Sequence, residues 1–404
     1  MIPIELMSLL LSLLLLLSSD SIVRHALDSL GIHFSSDNSV ELYTHGQDKF
    51  DAMFNDIRQA KHYVHLEYFN FRNDSIGRAL FHLLGEKAAE GVTVRAMYDS
   101  FGNSSNDSPL KNRHLRAIRA TGVDVREYDP IKFPWVNHVF NRDHRKIVVI
   151  DGEVCYTGGM NVADYYIHGR PEYGEWRDMH MRLTGSVVGE YERIFEAMWE
   201  HSFKDSICYP GNRIPEPVAG DSIVIGVVNR LPGKQSKVMR QSYVAAIDAA
   251  KHHIQIVNPY PTNVRSVRKA LQRALKRGVK VEFMVSAKSD VPITPDVVGV
   301  EMTRLARRGA DIYYNNKGFH HSKIMMVDSL FCTVGSTNMD GRSFYFDHEV
   351  NSFILDVPTT RKLQGIFERD KADCTLYRAS DRRKRFNAWH RFIGHAFGII
   401  KKYF

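Results

Sequence analysis

Two short runs carry the residues best suited to chemistry. The first is His144-Arg145-Lys146, then Ile147 to Ile150, then Asp151. The second is His321-Ser322-Lys323, then Ile324 to Val327, then Asp328. Each is followed at the same distance by a small pair and an asparagine: Gly158-Gly159 with Asn161, and Gly335-Ser336 with Asn338. On a strand, side chains two apart face the same way, so each His and Lys share a face. Both can then meet one phosphate, the Lys as a cation and the His in attack or proton transfer. The apolar stretch after each Lys reads as the buried continuation of that strand. The small pair lets a turn bring backbone and Asn close. A lone His-x-Lys is ordinarily solvated surface. Its duplication is another matter, because symmetry of a core would repeat apolar residues, not His, Lys and Asn, which are costly to bury without partners.

The elements that must position these residues also come twice. Ala60-Lys61-His62 and Ala250-Lys251-His252 each precede a strand. A helical stretch follows, Ser75 to Glu90 and Val264 to Arg277. Each helix ends in Gly-Val and alternating residues, at Gly91 and at Gly278, glycine just past a helix being a common stop. A further helix leads to Gly122 and Gly309. Strand, helix, strand, helix, strand predicts crossover connections and parallel pairing. The offset between copies shrinks toward the motif histidines, so the first copy carries a longer connection, from about Asp129 to Asp143. It holds Phe133, Pro134, Trp135 and Phe140. A packed loop and contact with acyl chains are both open for it.

These words resemble the phospholipase D superfamily, defined by two His-x-Lys-x4-Asp motifs, and more narrowly the bacterial cardiolipin synthases. His65-Leu66-Glu67-Tyr68, Asn141 to Lys146, Val149 to Gly152, Trp176-Arg177-Asp178 and Gly335 to Phe344 carry the likeness, which runs from about Val40 to Leu363. The resemblance implies tandem duplicated phospholipase D-type α/β domains. Each would be a mixed, largely parallel sheet flanked by helices, the two related by a pseudo-two-fold axis. It implies a two-step transfer in which one histidine attacks phosphorus and the other serves as acid and then base. On that pattern His144 is the nucleophile and His321 the acid/base. Lys146, Lys323, Asn161 and Asn338 hold the non-bridging oxygens. Asp151 and Asp328 complete the catalytic motifs, either near substrate or by fixing strand and loop. Glu349 stands where the family places an acid beside the motif histidine, and Asp178 is expected to do the same in the first half. Gly159 replaces Ser336 in the first copy, so any hydroxyl contact to phosphate is one-sided. No cofactor and no metal are expected, since no HExxH, Asp-rich loop or Cys/His cluster is present.

A chain of 404 residues has room for two or three cores. The expected division is 1–38, a hydrophobic N-terminal membrane segment and linker; 39–210 and 211–370, the two phospholipase D-like domains; and 371–404, a basic amphipathic C-terminal segment. Leu6 to Leu17 is almost pure leucine. It lacks a basic start and a clear cleavage site, which favours a short anchor over a secretory signal. Near the other end, Arg382 to Arg385 precede Phe386, Trp389, Phe392, Ile393, Phe397 and Ile400 at helical spacing. That helix either docks on the protein or lies on an anionic bilayer. The formal charge of +8 favours anionic partners of any kind. Cys155, Cys208, Cys332 and Cys374 show no CxxC and are expected to be reduced. The favoured reaction is phosphatidyl transfer between two phosphatidylglycerol molecules at a bacterial cytoplasmic membrane. Hydrolysis by the same intermediate, and a nuclease, are the alternatives. Nucleic acid is disfavoured because no basic stripe with interleaved aromatics occurs outside the tail. The motifs do not distinguish transfer from hydrolysis, nor do they fix oligomeric state.

Overall fold

The computed structural model describes residues 18–134, 139–207, 222–233 and 236–399. The leucine-rich start, Trp135, Cys208 and Ile400 lie outside them. Among the described residues no helix is long and apolar enough to cross a membrane.

The first half supplies β1 (Phe34–Tyr43), β2 (Tyr63–Tyr68), β3 (Thr93–Asp99), β4 (Asp124–Tyr128), β5 (Lys146–Ile150), β6 (Val154–Gly158), β7 (Glu175–Arg177) and β8 (His180–Thr184). The second supplies β9 (Ile223–Arg230), β10 (His253–Val257), β11 (Lys280–Ser286), β12 (Asp311–Asn315), β13 (Gly318–His320), β14 (Ile324–Val327), β15 (Phe331–Gly335), β16 (Glu349–Leu355) and β17 (Cys374–Tyr377). Among the described residues fifteen of them form one sheet, ordered β17-β12-β11-β10-β14-β15-β16-β9-β1-β8-β6-β5-β2-β3-β4, and β13 and β7 pair apart from it. Read outward from the β9–β1 junction, the two arms correspond strand for strand, with β17 added at the edge of the second half, and this correspondence is the pseudo-two-fold relation. The sheet is mixed. β2-β3-β4 and β10-β11-β12 are parallel, as their crossover helices require. The parallel share is smaller than the repeat suggests, because the motif strands join antiparallel: β5 on β2 and β14 on β10, followed by the strands toward the centre.

The helix stops fall where glycine predicts. The Ser75–Ala89 helix, whose first turn is capped by the Asp74 carboxylate, gives way at Gly91 with φ +93°. The Arg265–Lys276 helix ends at Gly278 with φ +87°. β5 is buried on both faces. Val148 and Ile150 enter the core beneath the Gly46–Gln59 and Ser75–Ala89 helices, while Ile147 and Val149 enter the core beneath the Val187–Phe203 and Val357–Lys371 helices. This alternation anchors the strand that leads out of the first motif.

Both ends of the division need correction. Residues 19–38 are not a linker. The Ser19–Asp28 helix buries Val23 and Leu27 in the core of the second half. β1 then joins the halves, pairing with β9 through Phe34, Ser35 and Asn38 and with β8 through Ser39 to Tyr43. At the other end β17 is the edge strand beside β12, so the tail begins inside the second sheet. The tail helix Ala388–Ile399 docks on the Thr294–Ala306 helix, where Gly394 faces the Asp296 carbonyl too closely for a Cβ. Phe386 is buried, whereas Trp389 and Phe392 are exposed. Within the connection before the first motif, Phe140 packs on Phe346 and Phe133 is 91% exposed. Cys155, Cys332 and Cys374 are free thiols.

Candidate active site

The motif histidines sit just before the strands that continue into the sheet. Since Tyr68 pairs with Lys146, and Val257 with Ile324, the C-terminal ends of β2 and β10 open on the site. Arg145, between His144 and Lys146, points the other way. It is buried against Glu67 at 3.0 Å and Asp143 at 3.2 Å.

Each histidine is oriented by an acid from the opposite half. His144 Nδ1 meets Glu349 Oε1 at 3.0 Å, and His321 Nδ1 meets Asp178 Oδ2 at 2.7 Å. The backbone repeats the crossing. His144 N–H donates to the His348 carbonyl at 3.1 Å, and His321 N–H to the Arg177 carbonyl at 2.6 Å. Around the second of these, β13 and β7 form a short parallel ladder. Asp178 therefore serves the second motif and Glu349 the first, which corrects the within-half pairing expected of Asp178. Sequence order cannot show this exchange, because it depends on how the halves face each other.

The Gly159/Ser336 difference has a local cause. The Ser336 hydroxyl donates to the second oxygen of Glu349 and accepts from Val350 N–H at 3.1 Å, so it supports the acid. A Cβ on Gly159 would lie 2.1 Å from Asp178 Oδ1. The shorter acid comes closer to the turn and leaves no room for a side chain.

Lys146 and Lys323 are buried, and each ammonium donates to the carbonyl of its own motif histidine. Lys323 Nζ also lies 2.9 Å from His321 Nδ1. Burial, with the neighbouring Lys323, brings Lys146 down to about 7, against the pull of Glu349 and Asp178. Burial brings Lys323 down to about 8. His144 is held at about 4, first by burial and then by Lys146, with Glu349 opposing. His321 is lowered for the same reasons, by burial and Lys323, with Asp178 opposing. Glu349 is held down at about 2: burial opposes ionisation, but His144, Lys146 and the Ser336 hydroxyl outweigh it. Lys323 acts on His144 and on Lys146, so the two motifs share one electrostatic site. Asn161 and Asn338 are buried, and their side-chain oxygens have no hydrogen-bond partner among the described residues.

Asp151 and Asp328 stand apart, at the far ends of β5 and β14 from the lysines, so the catalytic grouping does not hold for them. Both occupy left-handed turns, with φ +53° and +52°. Asp151 accepts the backbone N–H groups of Lys61, His62 and Tyr63 at 2.7 to 2.9 Å. Asp328 accepts those of Lys251, His252 and His253 at 2.7 to 2.8 Å, and the Ser19 hydroxyl as well. The repeated Ala-Lys-His words are thus the other half of the repeated aspartates.

Aromatic walls complete the site. Trp176, Phe319 and Tyr260 surround His321 with ring centroids at 5.8, 5.6 and 6.0 Å, and Phe69 meets His144 edge-on at 5.1 Å. Tyr260 and Phe69 carry no signal in sequence beyond following β10 and β2.

The family described as "Cardiolipin synthase, PLD-like domain" matches residues 53–199 and 243–371. This chain belongs to the phospholipase D superfamily, in its cardiolipin synthase-like branch. It is 35% identical to cardiolipin synthase 2 of Staphylococcus epidermidis over 83% of this chain and 68% of that one. It is 34% identical to a cardiolipin synthase of Staphylococcus aureus, over 84% and 68%. A probable cardiolipin synthase of Bacillus subtilis matches at 35%, over 84% and 67%. The crystal structure of a phosphatidylserine synthase of Haemophilus influenzae shares the fold, with a TM-score of 0.75 at 13% identity, over 95% of this chain and all of that one. Membership of this branch makes the chain an enzyme of the phosphatidyl-transferring type.

Proposed function

We propose that this enzyme makes cardiolipin from two molecules of phosphatidylglycerol, releasing glycerol, through a phosphohistidine on His144. The observation that carries the reading is the crossed arrangement of His144–Glu349 and His321–Asp178 about one pair of buried lysines. With Nδ1 engaged by Glu349, His144 has Nε2 available for attack. In the first step Nε2 forms a bond to phosphorus and the phosphorus–oxygen bond to glycerol breaks. Protonated His321 gives its proton to the departing oxygen. In the second step neutral His321 takes the proton of the incoming phosphatidylglycerol hydroxyl. That oxygen bonds to phosphorus as the phosphorus–nitrogen bond breaks. Lys146, Lys323, Asn161 and Asn338 hold the non-bridging oxygens while negative charge builds on them. The bond type is conserved, so no nucleotide is consumed. The reaction's setting is the anionic face of a bacterial cytoplasmic membrane.

The test is incubation of the purified chain with phosphatidylglycerol and no nucleotide. Cardiolipin and glycerol are expected in equal amounts. Phosphatidic acid in place of cardiolipin would make the enzyme a hydrolase, and neither product would reject the substrate. His144→Ala and His321→Ala are each expected to lower turnover by about a thousandfold or more.

A further inference from the structure

Each crossed histidine–acid pair sits just beyond a parallel backbone pairing. Asp143 pairs with His348, and the next residues are His144 and Glu349. His320 pairs with Arg177 at the end of the β13–β7 ladder, and the next residues are His321 and Asp178. A rung in that place fixes the backbone from which both partners project. What ties each rung through its side chains differs between the halves.

In the first half the motif supplies the tie itself. Arg145 Nε lies 3.2 Å from Asp143 Oδ1, and Arg145 Nη2 lies 3.1 Å from His348 Nδ1. The guanidinium thus spans the rung. The matching residue of the second motif is Ser322. It is buried, too short to reach across, and its hydroxyl has no hydrogen-bond partner among the described residues. A distant residue takes over the duty. Asp370, in the last turn of the Val357–Lys371 helix, accepts His320 Nε2–H on Oδ2 at 3.0 Å and the Arg177 guanidinium on Oδ1. The middle member of the tie is therefore a cation in one half and an anion in the other. A helix C-terminus disfavours an anion, so Asp370 is sited against its own helix's preference. Burial also raises its carboxyl, but His320 and Arg177 outweigh burial and hold it below its ordinary 3.8.

We infer that Asp370 is a positioning residue for the reaction: it locks the His320–Arg177 rung and so holds His321 against Asp178, as Arg145 does for His144 and Glu349. Both members of the His321–Asp178 bond follow directly on the residues that Asp370 grips, so slack in the rung passes to the bond. Its effect on rate rests on the proposed chemistry of His321. Its effect on the His321–Asp178 bond does not.

Asp370→Ala and Asp370→Asn are compared in the full chain. Asparagine keeps an acceptor for Arg177 and turns an amide N–H toward His320, whose Nδ1 has no partner among the described residues and can carry the ring proton instead. In proton NMR of the free enzyme, the proton that His321 Nδ1 donates to Asp178 is identified by its absence in His321→Ala. It is expected to shift or broaden in Asp370→Ala and to keep its place in Asp370→Asn. On soluble short-chain phosphatidylglycerol, kcat per folded molecule is expected to fall about tenfold to a hundredfold in Asp370→Ala with KM little changed, and to return to within about threefold of wild type in Asp370→Asn. Adding Arg177→Met to Asp370→Ala should cost little more, since both break one tie. An unmoved His321 proton in Asp370→Ala would overturn the inference. So would an undiminished kcat per folded molecule, or equal losses in the alanine and asparagine variants, which would make charge and not position the cause. If Asp370→Ala does not fold, Arg177→Met, which removes one arm of the tie, replaces it in both measurements. If the wild type does not turn over phosphatidylglycerol, the substrate reading fails while the His321 proton still decides the role of Asp370.

Discussion

Asp178 and Glu349 differ by one methylene, and that methylene decides what stands in the turn beside each. Glu349 leaves space for the Ser336 hydroxyl, whereas Asp178 excludes even a Cβ at Gly159. Near-symmetry therefore yields two histidines in unlike settings. The protonation states give a pH profile. His144, held at about 4, is neutral at higher pH, as the proposed attack requires. Lys146, at about 7 in the free enzyme, loses its charge above that pH, and with it part of the hold on phosphate. On the proposed mechanism the ratio kcat/KM, which reports the free enzyme, should rise as pH passes about 4 and fall on the alkaline side in two parts, first as His321, lowered from its ordinary 6.5 by burial and Lys323, loses its proton, and then as Lys146 does at about 7. Lys146→Arg, which stays charged, should remove the later part of that fall and leave the earlier part in place, even if it lowers the maximum. A kcat/KM still rising at pH 9 in the wild type would sink this account. His144, Lys146, His321, Lys323 and both asparagines were legible in sequence because polar residues were repeated in matching order. The exchange of acids was not, since it arises from contact between residues such as His144 and Glu349 that no local pattern links.

At the scale of elements, the aspartates that end both motifs have a structural duty. Asp151 and Asp328 tie the β5–β6 and β14–β15 turns to the entry of β2 and β10. Asp328→Ala should cost about 2 kcal/mol in urea unfolding, since three backbone donors lose their acceptor and Ala is strained at φ +52°. Asp328→Asn, which tolerates that backbone, should cost less. Activity per folded molecule should persist in both; loss of turnover without loss of stability would return this residue to the chemistry. The carboxyl of Asp328 is held below its ordinary 3.8 because the Ser19 hydroxyl and three backbone N–H groups outweigh burial. Its contribution to stability is therefore complete above that value and is lost as pH falls through the lower folded one. Periodicity and glycine stops revealed the repeated strands and helices. Length alone hid the antiparallel centre, because β5 and β14 are too short for their direction to be read from sequence.

For the whole molecule, the crossed acids make each half incomplete. Both acids nevertheless lie in the same chain as the histidines they serve. Mixing His144→Ala chains with His321→Ala chains should then leave the mixture inactive in the phosphatidylglycerol assay. Recovery of activity on mixing would place the site between chains. The sequence division stopped short here: it cut between residues 38 and 39, while Val23 and Leu27 already pack in the far half. Nothing local in Ser19–Asp28 reveals which distant core it will fill.

The β1–β9 junction also sets how the enzyme can move. A ladder of backbone bonds, irregular only between Ser35 and Asn38, joins one arm of the sheet to the other, so the halves cannot part like jaws without tearing the sheet at its centre. Traffic to the two histidines must pass the loops at the strand ends instead. Stiffening the seam further is therefore expected to leave turnover unchanged, whereas stiffening the loops at the strand ends is expected to lower it.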